Sequence, residues 1–430
     1  MQSTTAGTSS RGYARLVLAS CFGTAIEWYD FFIYAFLAPL VFDKLFFPKL
    51  DPKVGTIAVF ATFAVGFIAR PLGGIVFGHY GDRIGRKSIL LVTLMLMGIA
   101  TTLIGLLPTY AQIGIWAPIA LVTLRFLQGF ALGGESIGAL LLTVEGSPQG
   151  RRGFYGSLVY AAGPFSIVMA TLAVSLVARL PEDDLFSWGW RIPFVVSIVL
   201  VAIGVYVRLK VEESASFAKI AASRQVARIP MLEVFRNYRR PTLITLLVSL
   251  AETSFFYLTA IFAMSYGIKT LGMTRTTLTD AVLFANCLAF FAVPLFGALS
   301  DRIGRKPVFI AGIVATMLYI YPFFLLMGTT DPFLVTLAIV LAAGLIHPLM
   351  FGPEGSFFAE QFDTRVRFSG VSFGKQVGTV LGGGVAPLIA SALLLRYDNS
   401  FVPIVVYFLL MATVALVAAF AAKETRSEAL

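Results

Sequence analysis

Glu27 and Asp30 lie three residues apart in the apolar stretch Ile26-Glu27-Trp28-Tyr29-Asp30-Phe31-Phe32-Ile33, with Tyr34 directly behind them. On a helix that spacing puts both carboxylates on one face. Further along, Arg125, Gln128, Leu132 and Glu135 fall on a single helical stripe. His347 and Glu354 share a face of a third apolar stretch, and Glu252, Tyr257 and Lys375 stand in two more. Such groups suit two kinds of chemistry. The carboxylates and His347 can take up and release protons, an imidazole ordinarily titrating near neutral pH. Arg125 can clamp a carboxylate through parallel donors. Lys375, near Gly378 and the run Gly382–Gly384, either pairs with Glu252 or Glu354 or captures a substrate carboxylate. Each group also has a structural reading, as a buried ion pair that only fastens helices together. For His347 that reading is a packed histidine bonded to a backbone carbonyl.

The surroundings make these charges informative. The chain is 58% hydrophobic and only 13% charged, with a mean hydropathy of +0.85. Crossing a bilayer takes about 20 mostly apolar residues. Twelve stretches qualify: roughly 16–42, 56–79, 88–107, 113–144, 154–179, 191–209, 241–267, 279–299, 307–327, 332–359, 368–394 and 400–422. They are expected to be helices, because an open sheet edge cannot be satisfied in lipid. An ionisable group in such a span costs several kcal/mol unless it is paired or faces a wet cavity. Pro348 and Pro353 are expected to break the tenth span and free carbonyls there. A polar stretch separates the halves, giving a six-helix bundle over 1–209, a linker over 210–240 and a second six-helix bundle over 241–430.

Asp82-Arg83-Ile84-Gly85-Arg86-Lys87 returns letter for letter as Asp301-Arg302-Ile303-Gly304-Arg305-Lys306, about half a chain later. A repeat at that period means two copies of one structural unit. Gly133-Gly134-Glu135 and Gly352-Pro353-Glu354 repeat at the same interval. Glu145 before Arg151-Arg152 is echoed by Glu360 before Arg365-Val366-Arg367. An even number of spans per half puts both copies of the hexapeptide on one face. Most of the 33 Lys and Arg collect there too, so that face and both termini are expected to be cytoplasmic. The net charge of +10 then requires no nucleic acid. Asp82 can accept hydrogen bonds at a helix end while Arg83, Arg86 and Lys87 reach carboxylates on adjacent helices. The other reading makes these cations solvated anchors.

Several classes are excluded. Cys21 and Cys287 sit in different spans, which leaves no disulfide framework or metal cluster. There is no Walker lysine motif, no pair of zinc-binding histidines and no Gly-x-Ser-x-Gly elbow, so neither an enzyme nor a cofactor is expected. The first span carries two acids and is too long for a signal segment, so no cleavage is expected.

Two six-helix halves with matching Gly-x-x-x-Asp-Arg-x-Gly-Arg-Lys loops resemble the major facilitator superfamily, a fold of secondary transporters. Three stretches narrow the resemblance: Phe67-Ile68-Ala69-Arg70-Pro71-Leu72-Gly73-Gly74, Trp188-Gly189-Trp190-Arg191-Ile192-Pro193-Phe194 and Glu212-Glu213-Ser214-Ala215-Ser216-Phe217. Together they resemble the metabolite:proton symporter family, which contains transporters of citrate, 2-oxoglutarate, shikimate, and proline or betaine.

The resemblance implies an all-α membrane protein of two pseudo-symmetric bundles, with spans 1 and 4 lining the cavity. It implies a cytoplasmic gate of Asp82, Arg83, Arg86, Glu145 and Arg151 in one half, and Asp301, Arg302, Arg305, Glu360 and Arg365 in the other. It pairs Asp30 with Arg125, and it makes Arg70 a structural residue of the family pattern. Asp30, Glu27, Glu135 and His347 are the candidates for proton coupling. Arg125, Gln128, Tyr34, Glu252, Tyr257, His347, Glu354 and Lys375 are the candidates for substrate contact. Glu252 and His347 resemble positions of the shikimate-type branch, whereas Lys375 stands where that branch carries an aromatic residue. The expected cycle begins when a proton neutralises Asp30 or Glu27, freeing Arg125 to clamp the substrate before the halves rock.

The expected activity is therefore uptake of a small organic acid with protons, by a monomer in the bacterial inner membrane. A zwitterionic osmolyte is the alternative substrate. The short stretch after span 12 argues against osmosensing, whose family members carry a long tail. A sensor that does not transport would want a signalling domain, and none is evident.

Overall fold

The need to satisfy every backbone group internally accounts for the architecture. In the computed structural model, which describes residues 10–37, 41–49, 52–209 and 230–426, all regular structure among those residues is helical. The long helices are α1 (Ser10–Leu37), α2 (Pro52–Ile84), α3 (Arg86–Leu106), α4 (Trp116–Gly146), α5 (Arg152–Val177) and α6 (Ile192–Leu209). The second set is α7 (Arg239–Lys269), α8 (Arg275–Ile303), α9 (Arg305–Gly328), α10 (Pro332–Ala359), α11 (Arg367–Arg396) and α12 (Val402–Ala421). Among the described residues, eleven helices are long and apolar enough to cross a membrane. The expected second span lies in α2, whose 33 residues also suffice in length. Of the linker, residues 230–240 are described, with Pro230–Asn237 as a short helix, whereas Glu212–Phe217 lie outside the described residues. Outer faces present Phe291, Leu318 and Leu395 at 71%, 73% and 83% exposure, the apolar coat that lipid contact demands.

The hexapeptide repeat is a helix break. Gly85 and Gly304 have φ of 103° and 110°, a region that L side chains rarely enter, and each separates two long helices. The chain thereby turns back between α2 and α3, and again between α8 and α9. Trp188–Phe194 is a packing device of the first half. Trp190 and Phe194 are fully buried against Phe42, and the Arg191 guanidinium donates to the Gly105 and Leu107 carbonyls at 2.8 Å each. It thus satisfies the end of α3, which has no further turn of its own.

Helix α10 departs from expectation. Pro348 and Pro353 do not break it. A widened π-helical stretch, Val340–Ile346, leads into His347–Ala359, with Pro348 in its first turn and Pro353 inside it. Similar stretches interrupt α7 at Tyr257–Phe262 and α11 at Val380–Gly384. Widening relieves the clash and the lost hydrogen bond while the helix runs on.

Among the described residues the halves meet chiefly where α2 packs on α11, α5 on α8 and α10 on α5. Small residues allow the approach: a Cβ on Gly153 would stand 2.4 Å from the Gly297 carbonyl oxygen.

Candidate functional site

At the end of the bundle that carries the repeat, each half caps a helix of the other. Asp82 accepts from the backbone N–H of Phe368 and Ser369, at 3.2 and 2.9 Å, in the first turn of α11. Asp301 accepts from Gly153 and Phe154, at 2.9 and 2.8 Å, in the first turn of α5. A carboxylate at a helix N-terminus meets unpaired donors and the positive end of the helix dipole together. Behind each cap lies a buried glutamate. Glu145 pairs with Arg86 at 3.1 Å and Arg367 at 3.0 Å, and Glu360 with Arg305 at 3.3 Å and Arg152 at 3.7 Å. Arg86 also donates to the Thr364 carbonyl at 3.1 Å, so it spans both halves.

The other cations of this end stand outside these clusters. Arg83, Arg151 and Arg302 are exposed, and Arg83 approaches only His79, at 3.5 Å, among its described contacts. Arg365, half-exposed, pairs with Asp363 at 3.1 Å and with Glu233 of the linker helix at 3.5 Å. Arg152 and Arg367, neighbours of the expected gate residues Arg151 and Arg365, take the buried positions. Each is the first residue of its helix, and that phase turns it inward.

Glu145→Gln should move the protein toward the state open at this end by about tenfold or more, since breaking a buried ion pair costs about 3–5 kcal/mol. Maleimide labelling of Ser369→Cys, in a protein lacking Cys21 and Cys287, reads the change. An unchanged labelling rate would mean that the closure does not depend on Glu145.

Deeper in the first half, Asp30 finds a partner other than the expected Arg125. Asp30 accepts from the Ser197 hydroxyl on α6 at 2.5 Å. Glu27 accepts from Ser136 on α4 at 2.8 Å, and Glu135 pairs with Arg208 from the end of α6. Arg208 also donates to the Leu90 carbonyl at 2.6 Å and is 3% exposed. Although it ends α6 next to the linker, its side chain reaches back into the bundle. Arg125 donates to Gln128 at 3.1 Å, and Gln128 to Thr101 at 2.7 Å. The Arg125 guanidinium lies over the Tyr34 and Phe31 rings, at 4.1 and 4.6 Å. Tyr34 in turn exchanges a hydrogen bond with Thr62.

The second half holds a compact ionic cluster. Lys375 on α11 donates to Glu252 on α7 at 2.7 Å and also pairs with Glu354 on α10. His347 Nε2 lies 2.8 Å from the same Glu252 carboxylate, and its ring packs against Phe256 and Phe351. Both alternatives for Lys375 stay compatible with this arrangement, because an ammonium held by two carboxylates can exchange one for a substrate's. Two carboxylates against one ammonium leave an excess negative charge, which a proton on His347 or Glu354 would balance. Tyr257 stacks edge-on against Phe67 of α2 at 5.4 Å, joining this cluster to the first half. Among the described residues no group of His, Cys, Asp and Glu is arranged to hold a metal ion.

Comparison with known proteins agrees with this architecture. Residues 20–374 match the family model described as Major Facilitator Superfamily. The chain is 39% identical to the shikimate transporter of Escherichia coli (strain K12), over 98% of this chain and 97% of that one. It is 32% identical to the glycine betaine/proline/ectoine/pipecolic acid transporter OusA of Dickeya dadantii (strain 3937), over 97% and 84% of the two chains. Among solved structures, a double Trp mutant of XylE superposes with a TM-score of 0.79 at 16% identity, covering 97% of this chain and 98% of that one. A D-xylose-proton symporter does so with a TM-score of 0.69 at 17% identity, over 97% and 100%. The chain therefore belongs to the major facilitator superfamily and, within it, to the metabolite:proton symporter family, as a multi-pass membrane transporter and not an enzyme.

Proposed function

We propose that this protein imports a small organic acid together with protons, by alternating access between two six-helix bundles, residues 1–209 and 241–430. The Lys375–Glu252–Glu354–His347 cluster carries the reading: four ionisable groups from three helices, the acids and His347 buried and the Lys375 side chain 13% exposed, at the level of the spans. Such a cluster is expensive in hydrocarbon and suits a site that exchanges protons and anions. The shikimate-transporting relative supports an acid as substrate, and the proton symporters of the same fold support coupling. Asp30, Glu27 and His347 are the proposed proton carriers, and Arg125 and Lys375 the proposed substrate cations.

The repeat end is taken as cytoplasmic, from the clustering of Lys and Arg there. With both helix caps formed at that end, the closure blocks the path inward, and opening requires Asp82 and Asp301 to leave α11 and α5 together. A zwitterionic osmolyte is the second reading, favoured by the betaine and proline transporters among the relatives. Arginine already occupies the faces of Phe31 and Phe67, where a quaternary ammonium would be held, and this weighs against it.

Purified protein in proteoliposomes with an imposed inward proton gradient should accumulate shikimate, 2-oxoglutarate or citrate above equilibrium, and betaine not at all. Accumulation of betaine alone would replace the acid reading with the osmolyte one.

A further inference from the structure

Arg70 has no role in the scheme above, and its surroundings give it one. It lies on α2, is 3% exposed, and its guanidinium carbon stands 4.3 Å from the Phe67 ring centre, 4.5 Å from Phe31 and 5.9 Å from Trp28. Rings support the charge of a guanidinium but accept none of its in-plane hydrogen bonds. Nε and Nη2 of Arg70 have no hydrogen-bond partner among the described residues. These two atoms form one edge of the guanidinium, the edge that meets both oxygens of a carboxylate side by side. A buried donor left unmade is costly, and two on one edge define the shape of what is missing.

The second half closes over the same spot. Tyr257 of α7 reaches the Arg70 guanidinium with its hydroxyl and packs edge-on against Phe67, while a Cβ on Gly384 of α11 would stand 3.4 Å from the Phe67 side chain. A ligand held by Arg70 would therefore touch both bundles, as the pivot of an alternating-access cycle must. Arg125 approaches the same Phe31 ring at 4.6 Å, and its Nη1 donates to Gln128.

We infer that Arg70 is the receptor for the substrate's carboxylate, held side-on by Nε and Nη2, with the body of the acid against Phe67 and Tyr257. This rests on the organic-acid reading and deepens it. Lys375 and its carboxylates then serve a second polar group of the substrate or the proton, and Arg70 selects for the acid function itself.

The test is binding to the purified full-length protein by calorimetry, with shikimate, 2-oxoglutarate, citrate and methyl shikimate as probes. The acid that binds wild type best should bind Arg70→Gln about 100-fold more weakly, on the scale of two charge-assisted hydrogen bonds. The uncharged ester, weak to begin with, should bind both proteins alike. A merely structural Arg70 would weaken acid and ester together, and that result overturns the assignment. So does an acid that binds Arg70→Gln within about threefold of wild type, an outcome that leaves the organic-acid reading standing. If none of the three acids binds wild type, the organic-acid reading falls and takes the assignment with it. Should Arg70→Gln fail to fold, Arg70→Lys decides: it keeps the charge against the rings but loses the fork, so acid binding should drop about tenfold. Wild-type affinity in that variant also overturns the assignment.

Discussion

Lys375→Met should abolish acid accumulation and destabilise the protein by about 3–5 kcal/mol, the cost of leaving buried charges without their partner. The expectation comes from the count of charges around it. Glu252 and Glu354 both lean on the single ammonium, and His347 leans on Glu252. Without Lys375 the two carboxylates repel each other in a dry interior and must take up protons to stay. The double variant Lys375→Met, Glu354→Gln removes one surplus charge and should recover most of the melting temperature. Transport should not recover with it, because the cation is still missing. Thermal melting and proteoliposome uptake measured on the same preparations separate the two roles. If Lys375→Met melts and transports like wild type, the cluster is neither a structural keystone nor part of the transport path.

Asp30→Asn should uncouple the transporter. The amide can still accept the hydrogen bond from Ser197, so the packing of α1 on α6 should survive. What disappears is the ability to carry a proton. With one proton per cycle, a gradient of one pH unit supports about tenfold accumulation of a neutral solute equivalent, 1.4 kcal/mol being a factor of ten. That accumulation should fall to equilibrium in Asp30→Asn, while exchange of labelled for unlabelled substrate continues. Arg125→Ala should lose both activities. Uphill uptake that survives in Asp30→Asn but vanishes in Glu27→Gln would transfer the coupling role to Glu27, whose own partner is Ser136.

The duplicated unit was legible in the sequence because a copied hexapeptide and copied Glu145/Glu360 are visible as letters. The spans were legible because lipid leaves so few ways to satisfy a backbone. Which arginine of each neighbouring set turns inward was not legible. Arg151 and Arg152 are adjacent, as are Arg365 and Arg367 nearly so, and only the starting phase of α5 and α11 puts Arg152 and Arg367 beside the glutamates. The expected Asp30–Arg125 pairing failed to anticipate that short polar side chains on other helices would intervene: Ser197 takes the acid, and Gln128, anchored on Thr101, takes the arginine. Arg208 was hidden by its address at the edge of the linker. A long side chain at a helix end can point into the bundle as readily as away from it, and only tertiary packing decides. Proline-based breakage of α10 was a local rule that the π-helical stretch overrode.

The far end of the chain has a practical side. Glu424 accepts from the backbone N–H of Arg305 and Lys306 at 3.0 Å each, Thr425 donates to Glu360 at 2.7 Å, and Lys306 donates to the carbonyls of Phe420 and Ala422 at 2.7 and 3.1 Å. Glu424 and Thr425 therefore belong to the second ionic cluster and are not packaging. A fluorescent reporter or purification handle joined directly behind Ala422 would remove ligands of Glu360 and of the start of α9, and so bias the very equilibrium it was added to observe. Fusions for expression screening should keep residues 423–426 and add a flexible spacer beyond them.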